Sequence, residues 1–205
     1  MTILPERPPS IDDDLRLAER SVAGDRGAQR ELFGAHKRRV YATLFRVLGH
    51  GGPMEDLVQE AFLNVFRSLR TFRGEASLAT WIDRCTVRVA YAWLARRKAA
   101  PPPLELVHEV ASDSPSAERR ALAREAARHL YAELDRMDPK LRVAFTLFAI
   151  DGRTLIEVAT LMDASVVATK TRVFRARRAL EAAARKDAVL ASFVQPVRSG
   201  SEEVA

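Results

Sequence analysis

Cysteine occurs once in the 205 residues, at Cys85, so the chain has no means of forming an internal disulfide or a cysteine-based zinc site. That thiol is expected to be reduced, half-buried and packed like a small hydrophobe. Histidine is almost as sparse, and His36, His50, His108 and His129 are too dispersed to share a ligand spacing. No glycine-rich phosphate loop is present, and no Cys/His or paired-carboxylate arrangement has catalytic spacing. No catalytic residue, metal or cofactor is therefore expected, and the chain does not read as an enzyme. No uninterrupted apolar stretch approaches the roughly 20 residues of a membrane span, and the opening MTILPERPPSIDDDL holds no apolar run for a signal peptide. The expectation is a cytoplasmic protein without membrane insertion. No segment alternates convincingly with period two, so no sheet is expected and the fold class is all-α.

Apolar residues make up 47% of the chain, enough for packed cores, and the formal net charge is +6. That charge is localised. From Pro139 to Lys186 there are ten Lys or Arg against four Asp or Glu, an excess equal to that of the whole chain. Composition breaks at Ala99: AAPPPLELVHEVASDSPSA, up to Ala117, carries four prolines, three acids and no Lys or Arg, which favours an extended acidic linker. Two small helical domains flank it. The divisions read are 12–98, a linker 99–117, a second domain 118–186 and a tail 187–205. Upstream, amphipathic segments run from about Asp13 to Ala23, Arg26 to Leu48, Met54 to Leu69 and Leu78 to Lys98. Downstream, Ala117 to Arg136 has Leu122, Ala126, Leu130 and Leu134 in register, and Asp138 with Pro139 opens a helix to about Ile150.

The richest segment is SVVATKTRVFRARR, Ser165 to Arg178, with five cationic residues and no acidic one. On a 3.6-residue period Thr169, Val173, Ala176 and Leu180 share a packing face, while Lys170, Thr171, Phe174, Arg175, Arg177 and Arg178 take the rest. Before it, Thr154 and Glu157 form a capping box for a helix burying Leu155, Val158, Ala159 and Met162, and Asp163, Ala164 and Ser165 make a turn. This is a helix-turn-helix pattern, whose second helix lies in a major groove. A solvated basic face gives no reason for an aromatic at Phe174, whereas a thymine methyl does.

Two upstream segments also carry chemistry. DLVQEAFLNVF, Asp56 to Phe66, buries Leu57, Val58, Ala61, Phe62, Val65 and Phe66, and its opposite face of Asp56, Gln59, Glu60 and Leu63 suits a basic, partly apolar protein partner. In the next helix Leu78, Ile82, Cys85 and Val89 form the core stripe, and Trp81, Arg84, Arg88 and Tyr91 follow at three- and four-residue steps. Rings stack on splayed bases and guanidinium groups neutralise phosphates; core aromatics beside exposed arginines are the competing reading. Phe72, Arg73, Gly74 and Glu75 form a loop whose glycine lets backbone come close to a ligand.

Together, FRGEASLATW after DLVQEAFLNVF, a Pro-rich linker, and TLIEVATLMDAS followed by RARRAL resemble a bacterial RNA polymerase sigma factor of the sigma-70 family. More narrowly, they resemble the two-domain extracytoplasmic-function (ECF) group, which carries only regions 2 and 4. The resemblance covers roughly Asp13 to Lys98 and Asp135 to Arg185. It implies that Asp56, Leu57, Gln59, Glu60, Phe62 and Leu63 meet core RNA polymerase. It implies that Phe72, Arg73, Ser77, Thr80, Trp81, Arg84, Arg88 and Tyr91 open the promoter −10 element and hold its single strand. The −35 duplex would fall to Val167, Ala168, Lys170, Thr171, Arg172, Phe174, Arg175, Arg177 and Arg178, with the linker in the polymerase cleft. An anti-sigma protein is a further expected partner. Four positions depart from the family pattern: Arg88 replaces an asparagine, Val167 and Ala168 replace glycine and threonine, Thr169 replaces an apolar residue, and Asp163 takes a glycine position. They bear on promoter preference. A stand-alone helix-turn-helix regulator, or a sigma-like adaptor that binds polymerase or an anti-sigma protein without initiating, are the alternatives.

Overall fold

The computed structural model describes residues 10–49, 52–99 and 115–193, and among these every regular element is helical. Of the extended acidic linker read at 99–117, residues 100–114 lie outside the described residues, while its ends are helical, Ala99 closing one helix and Pro115 opening the next; the tail from 194 also lies outside. The first unit comprises α1 (Ile11–Val22), α2 (Arg26–Leu48), α3 (Met54–Ser68) and α4 (Leu78–Ala99). Each start has a local cause. Ser10 and Asp13 form a capping box on α1, and the Asp25 carboxylate accepts from the Gly27 and Ala28 amides at 2.7 and 3.1 Å to open α2. A 3-10 turn, Leu69–Thr71, ends α3, and Gly74 at φ 72° shapes the loop into α4. The inner stripes expected for α3 and α4 are buried, with Phe66 only half so.

The second unit comprises α5 (Pro115–Arg136), α6 (Pro139–Phe145), α7 (Leu155–Leu161), α8 (Val166–Ala184) and α9 (Ala188–Phe193). Asp138 caps α6 through the Lys140 amide at 2.8 Å, as its pairing with Pro139 predicts. The single helix expected to reach Ile150 instead passes into a π-helical turn at Thr146–Ile150, where the Asp151 amide bonds the Thr146 carbonyl at 2.9 Å. The Thr146 hydroxyl bonds the Arg142 and Val143 carbonyls at 3.0 and 3.1 Å, an insertion of the kind that loosens a helical ladder. The start of the tail is structured: Asp187 caps α9 and Leu190 is buried, with α9 packed on α5 and α8.

The two units share one core. Its buried apolar cluster runs from Leu44, Leu57, Ile82 and Val87 of the first unit into Val143, Leu147, Val158, Leu161 and Val173 of the second. A chain of charges accompanies it. Arg142 is 1% exposed and donates to the Val47 and Leu48 carbonyls at 2.9 and 2.8 Å and to Asp135. Those carbonyls close α2, where the ladder leaves acceptors without partners, so each guanidinium nitrogen of this buried arginine finds an acceptor.

Candidate nucleic-acid interface

The loop 72–77 and the first turns of α4 enclose an open cavity of about 300 Å³, lined by Thr71, Phe72, Arg73, Glu75, Ala76, Thr80, Trp81 and Arg84 of the first unit and by Thr160 of the second. Phe72 is buried and meets the half-buried Trp81 edge to face at 5.9 Å, an arrangement worth about 1 kcal/mol beyond its area. Ser77 accepts from the Thr80 amide at 3.2 Å and its hydroxyl lies 2.9 Å from that of Thr80, which fixes the first turn of α4. Six of the eight residues read for single-stranded DNA thus gather here, five on the cavity wall and Ser77 bracing it. Arg88 stands further along α4, and Tyr91 packs half-buried against the core, the competing reading for that ring.

Arg84 and Arg88 face the second unit. Asp163, in the turn between α7 and α8, lies 3.5 Å from Arg84 and 3.8 Å from Arg88. Asp163 holds φ 52°, the left-handed conformation that explains why a glycine suits this place in the turn. Both pairs are solvent-exposed and add little stability. Deeper contacts hold the units. Asp83 is 0% exposed and accepts two bonds from Arg39 at 2.8 and 2.7 Å and one from Arg153 at 2.9 Å. Arg153 also pairs with Asp151 at 2.9 Å, which in turn bonds Arg46 at 2.5 Å. These residues escaped the reading of the sequence. An acid at Asp83, heading a second apolar stripe of Val87, Ala90 and Leu94, is the signal that could have marked it.

The helix-turn-helix forms as its caps dictate. The Thr154 hydroxyl accepts from the Glu157 amide at 3.2 Å, and the Glu157 carboxylate accepts from the Thr154 amide and hydroxyl at 2.8 and 2.9 Å, two bonds that hold that carboxyl below its ordinary 4.5. Ser165 caps α8 through the Ala168 amide at 3.1 Å. Thr169, Val173, Ala176 and Leu180 are buried, while Val167 is 76% and Phe174 60% exposed. Lys170 and Arg175 are exposed and Arg172 half-buried, and none of the three has an ion-pair partner among the described residues. Arg178 lies over the Phe174 ring at 6.0 Å. Arg177 is turned the other way, half-buried over Phe148 at 5.6 Å, so it is placed as a packing residue rather than on the open face.

On α3, Asp56, Gln59 and the 54% exposed Leu63 form an open face, with Glu60 drawn 3.5 Å from Arg96. Leu57 and Phe62, grouped with them by resemblance, are 2% and 4% exposed; the α-helical period turns them into the core, where they support that face from behind. No group of three or more potential metal ligands and no helix long and apolar enough to cross a membrane occurs among the described residues.

Residues 32–100 match the family described as Sigma-70 region 2, and residues 127–180 match Sigma-70, region 4. The ECF RNA polymerase sigma-E factor of Escherichia coli is 30% identical over 177 residues, 82% of this chain and 92% of that protein. The RNA polymerase sigma-H factor of Pseudomonas aeruginosa is 29% identical over 181 residues, 84% of this chain and 94% of that one. A solved structure of CnrH with the cytosolic domain of CnrY shares the fold at a TM-score of 0.57 and 24% identity, over 85% of this chain and 98% of that one. The sigma factor RpoE with the anti-sigma factor NepR from Bartonella quintana shares it at 0.55 and 16%, over 77% of this chain and 97% of that one.

Proposed function

Since this chain belongs to the sigma-70 family of RNA polymerase sigma factors, in its extracytoplasmic-function group, we propose a division of labour among its three surfaces. As a sigma factor it directs promoter-specific transcription initiation. The open face of α3, with Asp56, Gln59, Glu60 and Leu63, docks on core RNA polymerase. The cavity of Phe72, Arg73, Thr80 and Trp81 takes an unpaired base of the −10 strand, and Arg84 and Arg88 take its phosphates. Helix α8 lies in the −35 major groove, with Lys170, Thr171, Arg172, Arg175 and Arg178 on the backbone or base edges and Phe174 and Val167 against bases. The protein contributes binding energy, the polymerase performs the chemistry, and both act in the cytoplasm. Arg84 and Arg88 face Asp163, so region 4 leaves region 2 before the −10 strand is held. An anti-sigma protein is a further partner in this reading, as RpoE is found in complex with the anti-sigma factor NepR.

The observation that carries this reading is the pairing of unlike surfaces on one chain: an aromatic-lined cavity fit for a single strand and a convex basic helix fit for a duplex. A regulator that only binds duplex has no use for the cavity. Duplex binding to the −35 element provides the test. Lys170→Ala and Arg175→Ala are each expected to weaken binding and to lower the slope of log affinity against log salt by about one. Phe174→Ala is expected to change base preference with the slope unchanged. Losses that leave both the salt slope and the base preference unchanged would instead mark α8 as a structural helix.

A further inference from the structure

Helix α1 precedes the segment that matches region 2, yet it stands directly behind the loop that lines the cavity. Asp14 is the centre of this arrangement. Its side chain is buried, at 5% exposure, and its Oδ2 accepts from the Leu78 amide at 2.8 Å. Leu78 is the first residue of α4, where backbone N–H groups have no helical acceptor and the helix dipole favours a negative charge. A carboxylate is costly to bury, and this one is placed where one charge-assisted bond fixes where α4 begins. Two further contacts tie the loop to the same helix. A Cβ on Gly74 would stand 3.1 Å from Cγ2 of Ile11 and 3.2 Å from Cδ1 of Leu15, so α1 lies hard against the loop backbone. The 3-10 turn Leu69–Thr71, from which the loop departs, also packs on α1. The beginning, middle and end of the cavity wall therefore rest on one helix.

We propose that Asp14 is a positioning residue for −10 recognition. Through the Leu78 amide, with Ile11 and Leu15 behind Gly74, it sets the height of α4 relative to the loop and hence the depth of the cavity between Phe72, Thr80 and Trp81. Base selectivity follows from that depth, because a pocket displaced by a fraction of an ångström no longer discriminates among ring edges. The proposal rests on the reading of the cavity as the −10 site.

The test uses holoenzyme assembled from core polymerase and wild type, Asp14→Ala, Asp14→Asn or Leu15→Ala. Three quantities are read: selection from a single-stranded library randomised at the −10 element, −35 duplex affinity, and competition for core. Asp14→Ala is expected to lower single-strand affinity by about tenfold and to broaden base preference, with −35 affinity and core competition unchanged. Asp14→Asn keeps an oxygen acceptor for the Leu78 amide and is expected to restore the wild-type preference. Leu15→Ala, which opens space behind Gly74, is expected to broaden preference without touching the hydrogen bond. Equal losses in all three quantities would reduce Asp14 to a fold-holding residue and overturn the proposal. Unaltered base preference in both Asp14→Ala and Leu15→Ala would overturn it too. Wild-type holoenzyme that shows no −10 preference would remove the cavity reading itself, and the proposal with it.

Discussion

His36, half-buried on α2, shows how one side chain ties stability to pH. Burial, then the nearby Arg39 charge, holds its imidazole below the ordinary 6.5 against the opposing pull of Asp14 and Asp83. The unfolded chain therefore takes up this proton first as pH falls. Its contribution to stability is complete above about 6.5 and drains between that value and the lower native one, beyond which it levels. The unfolding midpoint in urea is expected to decline from pH 7.5 to 5, and His36→Gln to flatten that decline. Identical slopes would assign the effect elsewhere. Glu157, Asp187 and Asp25 are lowered carboxyls whose losses begin only below their ordinary 4.5, 3.8 and 3.8, so they do not obscure the window. Residue roles that depend on neighbours in sequence were legible: the Thr154 and Glu157 box, the Asp138 and Pro139 pair, and the Asp163 turn each form as their spacing predicts. Arg177 was not, because its partner Phe148 is 29 positions away in the chain and on a different helix, and period alone does not tell a packed arginine from an open one. Cys85 is buried, beyond the half-burial expected, and that burial raises its thiol above the ordinary 9.0, as an inert core thiol requires.

At the scale of elements, α4 serves two neighbours at once. It packs on α2 and α3 and also on α6 and α7, and besides its expected stripe it buries Val87, Ala90 and Asp83, the last between Arg39 of α2 and Arg153 of the second unit. A sequence period reports how much of a helix is apolar but not which distant helix covers it, so the charged links from Arg153, Asp151 and Arg46 had no local trace. Removing one member of such a network leaves a buried charge short of a partner. Arg153→Ala leaves Asp83 with Arg39 alone, and separation of the units then restores water to the carboxylate. The expected outcome is a larger radius of gyration for the free protein in solution scattering, with helicity unchanged. A variant as compact as wild type would show that the apolar cluster alone keeps the units together.

Taken as a whole molecule, the chain keeps its positive excess in one half, and this localisation was visible in composition alone. The order of the two motifs was equally visible, since each is local to one or two helices. How the halves meet was not, because the joining residues lie far apart in sequence, as Asp83 and Arg153 do. The contact bears on the proposed division of labour, because Arg84 and Arg88, proposed to hold the −10 strand, face Asp163 in the turn before the helix proposed to hold the duplex. Run-off transcription tests the central claim most directly, with core polymerase and a promoter library randomised at both elements. The account predicts transcripts only when the protein is added, start sites downstream of one shared pair of elements, and loss of both with Asp56→Arg and Gln59→Arg. Core binding without a transcript, or protection of duplex sites with no need of polymerase, would contradict it.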